Sequence, residues 1–243
     1  KADAARIDLF FYAWDNENII EILRHGNEAE LARTGRYSRE ELVELILAAK
    51  SGDARTADYP AYMYDFLEYY FANEAREDVM FENVLASHYY NYAVGCGNKF
   101  LSDWFAFNRN LNNLQVAFIA RKCKLNIADC VVGDDEVTET IRTSSARDFG
   151  LSSVIDYLEN VQRLCEMDKL QERERQFDEL RWNWLDDNSA FLYFSVERLF
   201  VFLQKLDIVM RWAKLDADAG MARYNELIAG LKSGLTINDE DYQ

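Results

Sequence analysis

The sequence predicts an all-α protein, and three observations carry that expectation. The 243 residues hold one proline, Pro60, and ten glycines, few turn formers for a sheet-rich chain and enough for long helices. Apolar residues recur at helical spacing from end to end. Helix-start signatures stand ahead of many of those periodic stretches. Apolar residues make up 49% and aromatic residues 14%, sufficient for a packed core without disulfides or metals at this length.

Taken in order, Ala5–Arg24 keeps a broad apolar face through Leu9, Phe10, Trp14, Ile19, Ile20, Ile22 and Leu23, and Gly26 supplies its stop. Ser38-Arg39-Glu40-Glu41 spells a capping box that opens a helix closing near Gly52. Pro60 suits the first position of an aromatic helix running through Phe71. Glu82–Gly95 follows, and Asn98 caps a long helix to about Lys122. Gly133-Asp134-Asp135 starts a short helix, and Arg142–Gly150 reads as a connection. Ser152 or Ser153 caps the next helix, to about Cys165, and Asp168 caps Lys169–Leu185. Ser195 opens Val196–Lys214, Asp216 or Asp218 opens a last helix to about Leu231, and Asn238–Gln243 frays. With no proline- or serine-rich linker, residues 1–243 read as a single helical domain.

The formal net charge is −16. Without a cluster of Lys/Arg, such a chain is expected to bind neither nucleic acid nor an anionic membrane surface. Its acidity suits solubility or a basic partner. Cys96, Cys123, Cys130 and Cys165 form no CxxC pair. With no apolar run near membrane length, the expectation is a cytoplasmic protein without membrane insertion.

Catalytic patterns are not legible, and the expectation is a protein that is not an enzyme and takes no cofactor or metal. His25, four residues after Glu21, suits the negative end of its helix better than a metal. His88 sits among tyrosines as a packing residue. Asp148-Phe149-Gly150 spells the metal-binding tripeptide of protein kinases, but lacks the glycine-rich loop and catalytic loop that give it meaning. The connection around it gathers Arg142, Thr143, Ser144, Ser145, Arg147 and Asp148 in an acidic chain. It either satisfies its own caps or contacts an anion or acidic partner, since arginine forks suit carboxylates and phosphates. The aromatic run from Tyr59 to Phe71 covers more than one stripe of its helix, so it reads mainly as core with some rings facing other elements or a partner.

Three segments rhyme. Asp15-Asn16-Glu17-Asn18-Ile19-Ile20-Glu21-Ile22-Leu23-Arg24 resembles the "D..N...LR" helix of the C (or d) subunit of V-type and archaeal-type rotary ATPases. Phe107-Asn108-Arg109-Asn110-Leu111-Asn112-Asn113-Leu114 with Ala120-Arg121-Lys122 is a looser copy, its asparagine-to-arginine spacing eight rather than six. Glu197-Arg198-Leu199-Phe200-Val201-Phe202-Leu203 and Asp207 resemble the "E-P-L-x-A-Y-L … E" helix of the same family, with Arg198 in place of proline. Tyr37–Leu42, Asn98-Lys99-Phe100, Arg142–Leu151 and Trp182-Asn183-Trp184-Leu185 together resemble a bacterial family of unknown function encoded beside V-type ATPase subunits. That family's usual N-terminal segment is not matched and the chain opens on Lys1, so a preceding native segment is expected.

The resemblance implies an all-α, multi-helix fold like that of the V-type ATPase C (or d) subunit, built of pseudo-repeated helical subdomains. It also implies a non-catalytic adaptor, without nucleotide, that links the central stalk to the membrane rotor ring and lies peripheral to the inner membrane through protein contacts. The alternatives are a free-standing helical scaffold, or a small-ligand binder using the Arg142–Gly150 connection. Arg121, Lys122, Glu197 and Arg198 join Arg142, Thr143, Ser144, Ser145, Arg147 and Asp148 as candidate partner-binding residues.

Overall fold

The computed structural model describes residues 2–31, 33–215 and 228–229. All regular structure among them is helical, in nine α-helices and two 3₁₀ turns. Two compact units are distinguished, residues 1–181 and 182–243.

Helix α1 (Ala2–His25) ends at Gly26, whose φ of 57° reverses the chain into a 3₁₀ turn, Gly26–Glu28. Helix α2 (Arg39–Ser51) opens on the expected capping box: Ser38 Oγ accepts from Glu41 N (3.2 Å), and Glu41 accepts from Ser38 N (2.7 Å). Helix α3 (Ala61–Asn73) takes Pro60 as its cap rather than its first helical residue, a one-residue shift. Helices α4 (Phe81–Val94) and α5 (Lys99–Cys123) follow, the latter capped by Asn98 through Leu101 N and closed by Lys124 in the left-handed region. A second 3₁₀ turn, Ile127–Asp129, precedes α6 (Glu136–Thr143), which Asp135 caps.

The expected helix from Ser152 or Ser153 does not form there. Helix α7 starts at Leu158 and runs to Cys165. Ser152 instead donates to Asp148, while Leu151 and Ile155 bury in a single turn that does not propagate. Arg142 and Thr143 belong to α6, so the connection is shorter than its sequence suggests. Helix α8 (Leu170–Ser189) extends past Leu185, and α9 (Val196–Leu215) is capped by Ser195. The helix expected from Asp216 or Asp218 and the tail 238–243 lie outside the described residues.

The order of elements from α1 to α8 is given twice. A long helix, a 3₁₀ turn and three further helices run from α1 to α4, then again from α5 through α8. Helix α1 packs on α2 and α4, α2 on α3, α3 on α4, and α4 hands over to α5, which packs on α6 and α7. The core is built from residues such as Leu9, Ile19, Leu42, Leu45, Phe66, Leu67, Leu111 and Leu114. Tyrosine hydroxyls bolt neighbouring helices together: Tyr62 Oη donates to Asn16 Oδ1 (2.8 Å), and Tyr89 Oη to Leu9 O (2.7 Å). Within the aromatic run of α3, Tyr62, Tyr64 and Phe66 are core, whereas Tyr70 and Phe71 are half-buried and Tyr69 is exposed.

Each long helix also clamps the loop that follows it. Asp15, wholly buried, accepts from Arg36 N (2.9 Å) and Tyr37 N (3.2 Å), and Asn18 Nδ2 donates to Arg33 O (3.0 Å). On α5, Asn113 pairs with both backbone groups of Val132 (2.7 and 2.9 Å), and buried Arg109 meets Asp135 at 2.9 Å. A glycine lies under each clamp. A Cβ at Gly35 would overlap the Asp15 carboxylate, and one at Gly133 would stand 2.8 Å from Arg109 Cδ.

Gly35→Ala is therefore expected to lower stability by about 1–3 kcal/mol, read as a lower urea midpoint at unchanged slope. Combined with Asp15→Ala, the loss should fall short of the sum of the two single losses, because the clash needs both side chains. Burial pushes the Asp15 carboxyl up to about 6 from 3.8. The folded state then holds a proton that the unfolded chain has released between those values, so this group's contribution falls as pH rises from about 4 to about 6. Relative to Asp15→Asn, which does not titrate, wild type should lose on the order of 2–3 kcal/mol across that window. Parallel denaturant titrations at pH 4 and pH 7 measure it; a constant difference would contradict the shift.

Candidate functional site

The C-terminal turn of α5 carries Arg121 and Lys122 where cations complement the helix dipole. Arg121 turns back over the connection after α6. Its guanidinium donates to Ala146 O (2.8 Å), Arg147 O (3.1 Å) and Ser144 O (3.3 Å), and stands 4.0 Å from the Phe149 ring centroid. The planar fork of arginine suits this combination of carbonyl binding and ring stacking. Phe149 is fully buried against Phe118 despite a φ of 56°, so the loop is wound around it as an anchor.

The remaining residues of the connection fall into two sets. Arg142 lies on α6, paired with Glu139 and donating to Val131 O (3.3 Å). Thr143 Oγ1 returns to Glu139 O (2.8 Å), and Ser144 N closes α6 on Thr140 O (3.0 Å). Asp148 accepts from Gly150 N (3.0 Å) and from Ser152 Oγ; those bonds, the Ser152 hydroxyl first, hold its carboxyl below the usual range. The kinase-like tripeptide is thus a turn that caps itself. Ser145 and Arg147 project outward, the Arg147 side chain 84% exposed with Glu166 at 3.9 Å. Lys122 is exposed on α5.

The structure therefore brings Arg121 together with Ser144, Ala146, Arg147 and Phe149, and leaves Arg142 and Thr143 on the flank of α6. Glu197 and Arg198 belong to the second unit, in the first turn of α9. There Arg198 Nη1 donates to Ser189 Oγ (3.0 Å), joining the end of α8 to the start of α9. No sequence motif marks the connection between those helices, where Phe191, Tyr193 and Phe194 stand exposed. The available signal is three aromatic residues within four positions at a helix break.

The raised tyrosines, Cys165 and Asp15 owe their shifts first to burial, whereas exposed Arg55 is raised by its hydrogen bonds to Glu68 and Asp65. Desolvation raises Tyr12 to about 12 and Cys165 to about 11, and holds Tyr62 and Tyr89 well above the ordinary tyrosine range. Asp15, lifted by the same cause, has no exposed surface for a substrate to reach. His25 lies 3.7 Å from Glu21 on an exposed helix end. Among the described residues no three His, Cys, Asp or Glu side chains gather into a metal-holding group, and no helix is long and apolar enough to cross a membrane.

The family model described as "Protein of unknown function (DUF2764)" matches residues 1–235. No curated protein and no solved structure matches the chain.

Arg121→Ala should cost about 1–3 kcal/mol, since it strips charged donors from three carbonyls and a cation from a buried ring. Amides around Phe149 and Leu151 should exchange faster in that variant. Arg147→Ala, at an exposed site, should change stability by less than about 0.5 kcal/mol. A loss at Arg147 equal to that at Arg121 would refute the division between the two roles.

Proposed function

The chain belongs to the DUF2764 family of proteins of unknown function, and from that premise we propose that it is a non-catalytic component or accessory adaptor of a bacterial V/A-type rotary ATPase, linking the central stalk to the membrane rotor ring. The observation that carries the reading is the order of elements given twice: long helix, 3₁₀ turn and three helices. This is the kind of pseudo-repeat that the resemblance to the C (or d) subunit family implies. The rhyming helices supply the long member of each round, α1 and α5, and their polar letters have a shared physical use. Asp15 and Asn18 on one, and Arg109 and Asn113 on the other, clamp the loop that leads to the next helix.

An adaptor that carries torque needs stiff elements with pinned junctions and surfaces for partners, and it needs no activated nucleophile. Long helices bolted by tyrosine hydroxyls and clamped at their loops meet the first requirement. The acid-rich chain, with Arg147 and Lys122 projecting from it, offers contacts of both signs. The small-ligand alternative for the Arg142–Gly150 connection has less to support it, because the Arg121 and Arg142 guanidinium groups are already engaged with backbone and Glu139.

Affinity purification of the native protein at physiological salt should recover stalk or ring subunits in fixed proportion. Repeated recovery as a free monomer, while intact ATPase particles from the same cells lack it, would exclude the reading.

A further inference from the structure

Within the second unit, the connection between α8 and α9 displays the three most exposed large apolar side chains among the described residues: Phe191 at 89%, Phe194 at 84% and Tyr193 at 74%. Leu199, one turn into α9, adds a fourth at 51%. Single exposed apolar residues need no explanation, but a contiguous set does.

The base of this connection is fastened. Leu192 N donates to Ser189 O (3.0 Å), Ser195 Oγ accepts from Arg198 N (3.3 Å), and Arg198 Nη1 reaches the buried Ser189 hydroxyl (3.0 Å). Below it, Lys205 joins Asp186 and stands 4.3 Å from the Trp182 ring centroid, tying α9 to α8. Phe194 holds a φ of 50°, in the left-handed region that aromatic residues rarely enter. Backbone strain of this kind is kept where the surroundings over-determine it. The connection is thus a short, pinned knob with its rings turned to solvent.

We infer that the Phe191–Phe194 knob is a docking anchor for a protein that presents an apolar groove edged by lysine or arginine. Size and charge select this occupant. Aromatic side chains bury about 150–250 Å² each, so three rings supply much of the roughly 800 Å² that one partner contributes to a standard interface. Rigid aromatic anchors held in advance lose little freedom on docking. Asp187 is exposed at the end of α8 beside the knob, in a chain of net charge −16. A second copy would bring the same net negative charge face to face, and an anionic membrane would repel it. A cationic rim is drawn in. The inference rests on the reading as a partner-binding protein, though not on the partner being part of a rotary ATPase.

The test places a photoreactive p-benzoylphenylalanine at Tyr193 in the full chain, in its native cells, and maps the cross-link by mass spectrometry. Binding of the captured protein is then compared between wild type and the F191S/Y193S/F194S variant. The expected cross-link falls in an apolar groove with Lys or Arg at its edge. The triple variant should bind at least about tenfold more weakly, with an unchanged melting curve, and added salt should weaken the wild-type complex. Cross-links confined to lipid or to a second copy, no cross-link, or equal binding by the variant would overturn the inference. A captured partner outside the ATPase would leave the knob standing and remove the ATPase reading. ATPase subunits that bind the triple variant as tightly as wild type would do the reverse.

Discussion

The rest of the first unit depends on a buried polar clamp between each long helix and the loop after it. Placing Asp15 at a site with no solvent contact is costly, and the burial that lifts its carboxyl records that cost. What offsets it is the pairing of two loop N–H groups that would otherwise be stranded against the core. With Asn18 holding Arg33 O, the clamp fixes where the chain leaves α1 and hence where Ser38 can start α2. The second clamp works with different chemistry. Asn113 takes both backbone groups of Val132, while Arg109 holds the Asp135 carboxylate that also caps α6. In both, the helix dictates the entry of its successor.

The clamps explain which parts of the fold are legible in the sequence. Caps made by neighbours along the chain are readable: Ser38 with Glu41, Asn98 with Leu101, Asp135 with Val137 and Ser195 with Arg198 all act within three residues. The clamps join residues 15 or more positions apart, and no local pattern announces them. Asp15 and Asn113 can be read as letters of a resemblance but not as loop ligands. The start of helix α7 is hidden because Ser152 looks like a cap locally, yet its hydroxyl is committed to Asp148. The exposed aromatic residues at 191–194 are hidden for a different reason. In a chain with 14% aromatic residues, a ring beside a helix reads as core until its surface is known.

The same distinction separates the residues of the candidate site. Arginines, threonine and serines gathered in sequence suggest a common binding function, but chemistry in the folded chain sorts them by what they already hold. Arg121 spends its fork on three carbonyls and a ring, and Asp148 spends its carboxylate on a turn. Arg147 holds the Gln162 amide oxygen through Nη2 and Nε (3.0 Å each) on an otherwise solvent-exposed side chain, where its ion pair at 3.9 Å contributes little to folding. Residue type alone cannot sort the arginines, because each has the same donors; geometry decides which donors are left.

The proposed adaptor role sets two demands that oppose each other. Stiffness asks that polar groups be satisfied internally, and recognition asks that some surface be left unsatisfied. Here the demands fall on different elements. Helix α5 is buried on many sides and meets most of its needs inward: Asn108 and Asn112 accept from Arg181 of α8, Asn112 also donates to Tyr90 of α4, and Asn113 holds the loop, while Arg109 Nε and Asn110 Oδ1 are buried without a hydrogen bond. The Phe191–Phe194 connection keeps its backbone pinned and its rings uncovered. Internal satisfaction lets an element serve as a beam, whereas a pinned backbone with exposed rings lets one serve as a contact. Because the fastening at the contact involves Ser189, Ser195 and Arg198 rather than the rings themselves, the two requirements are met without one weakening the other.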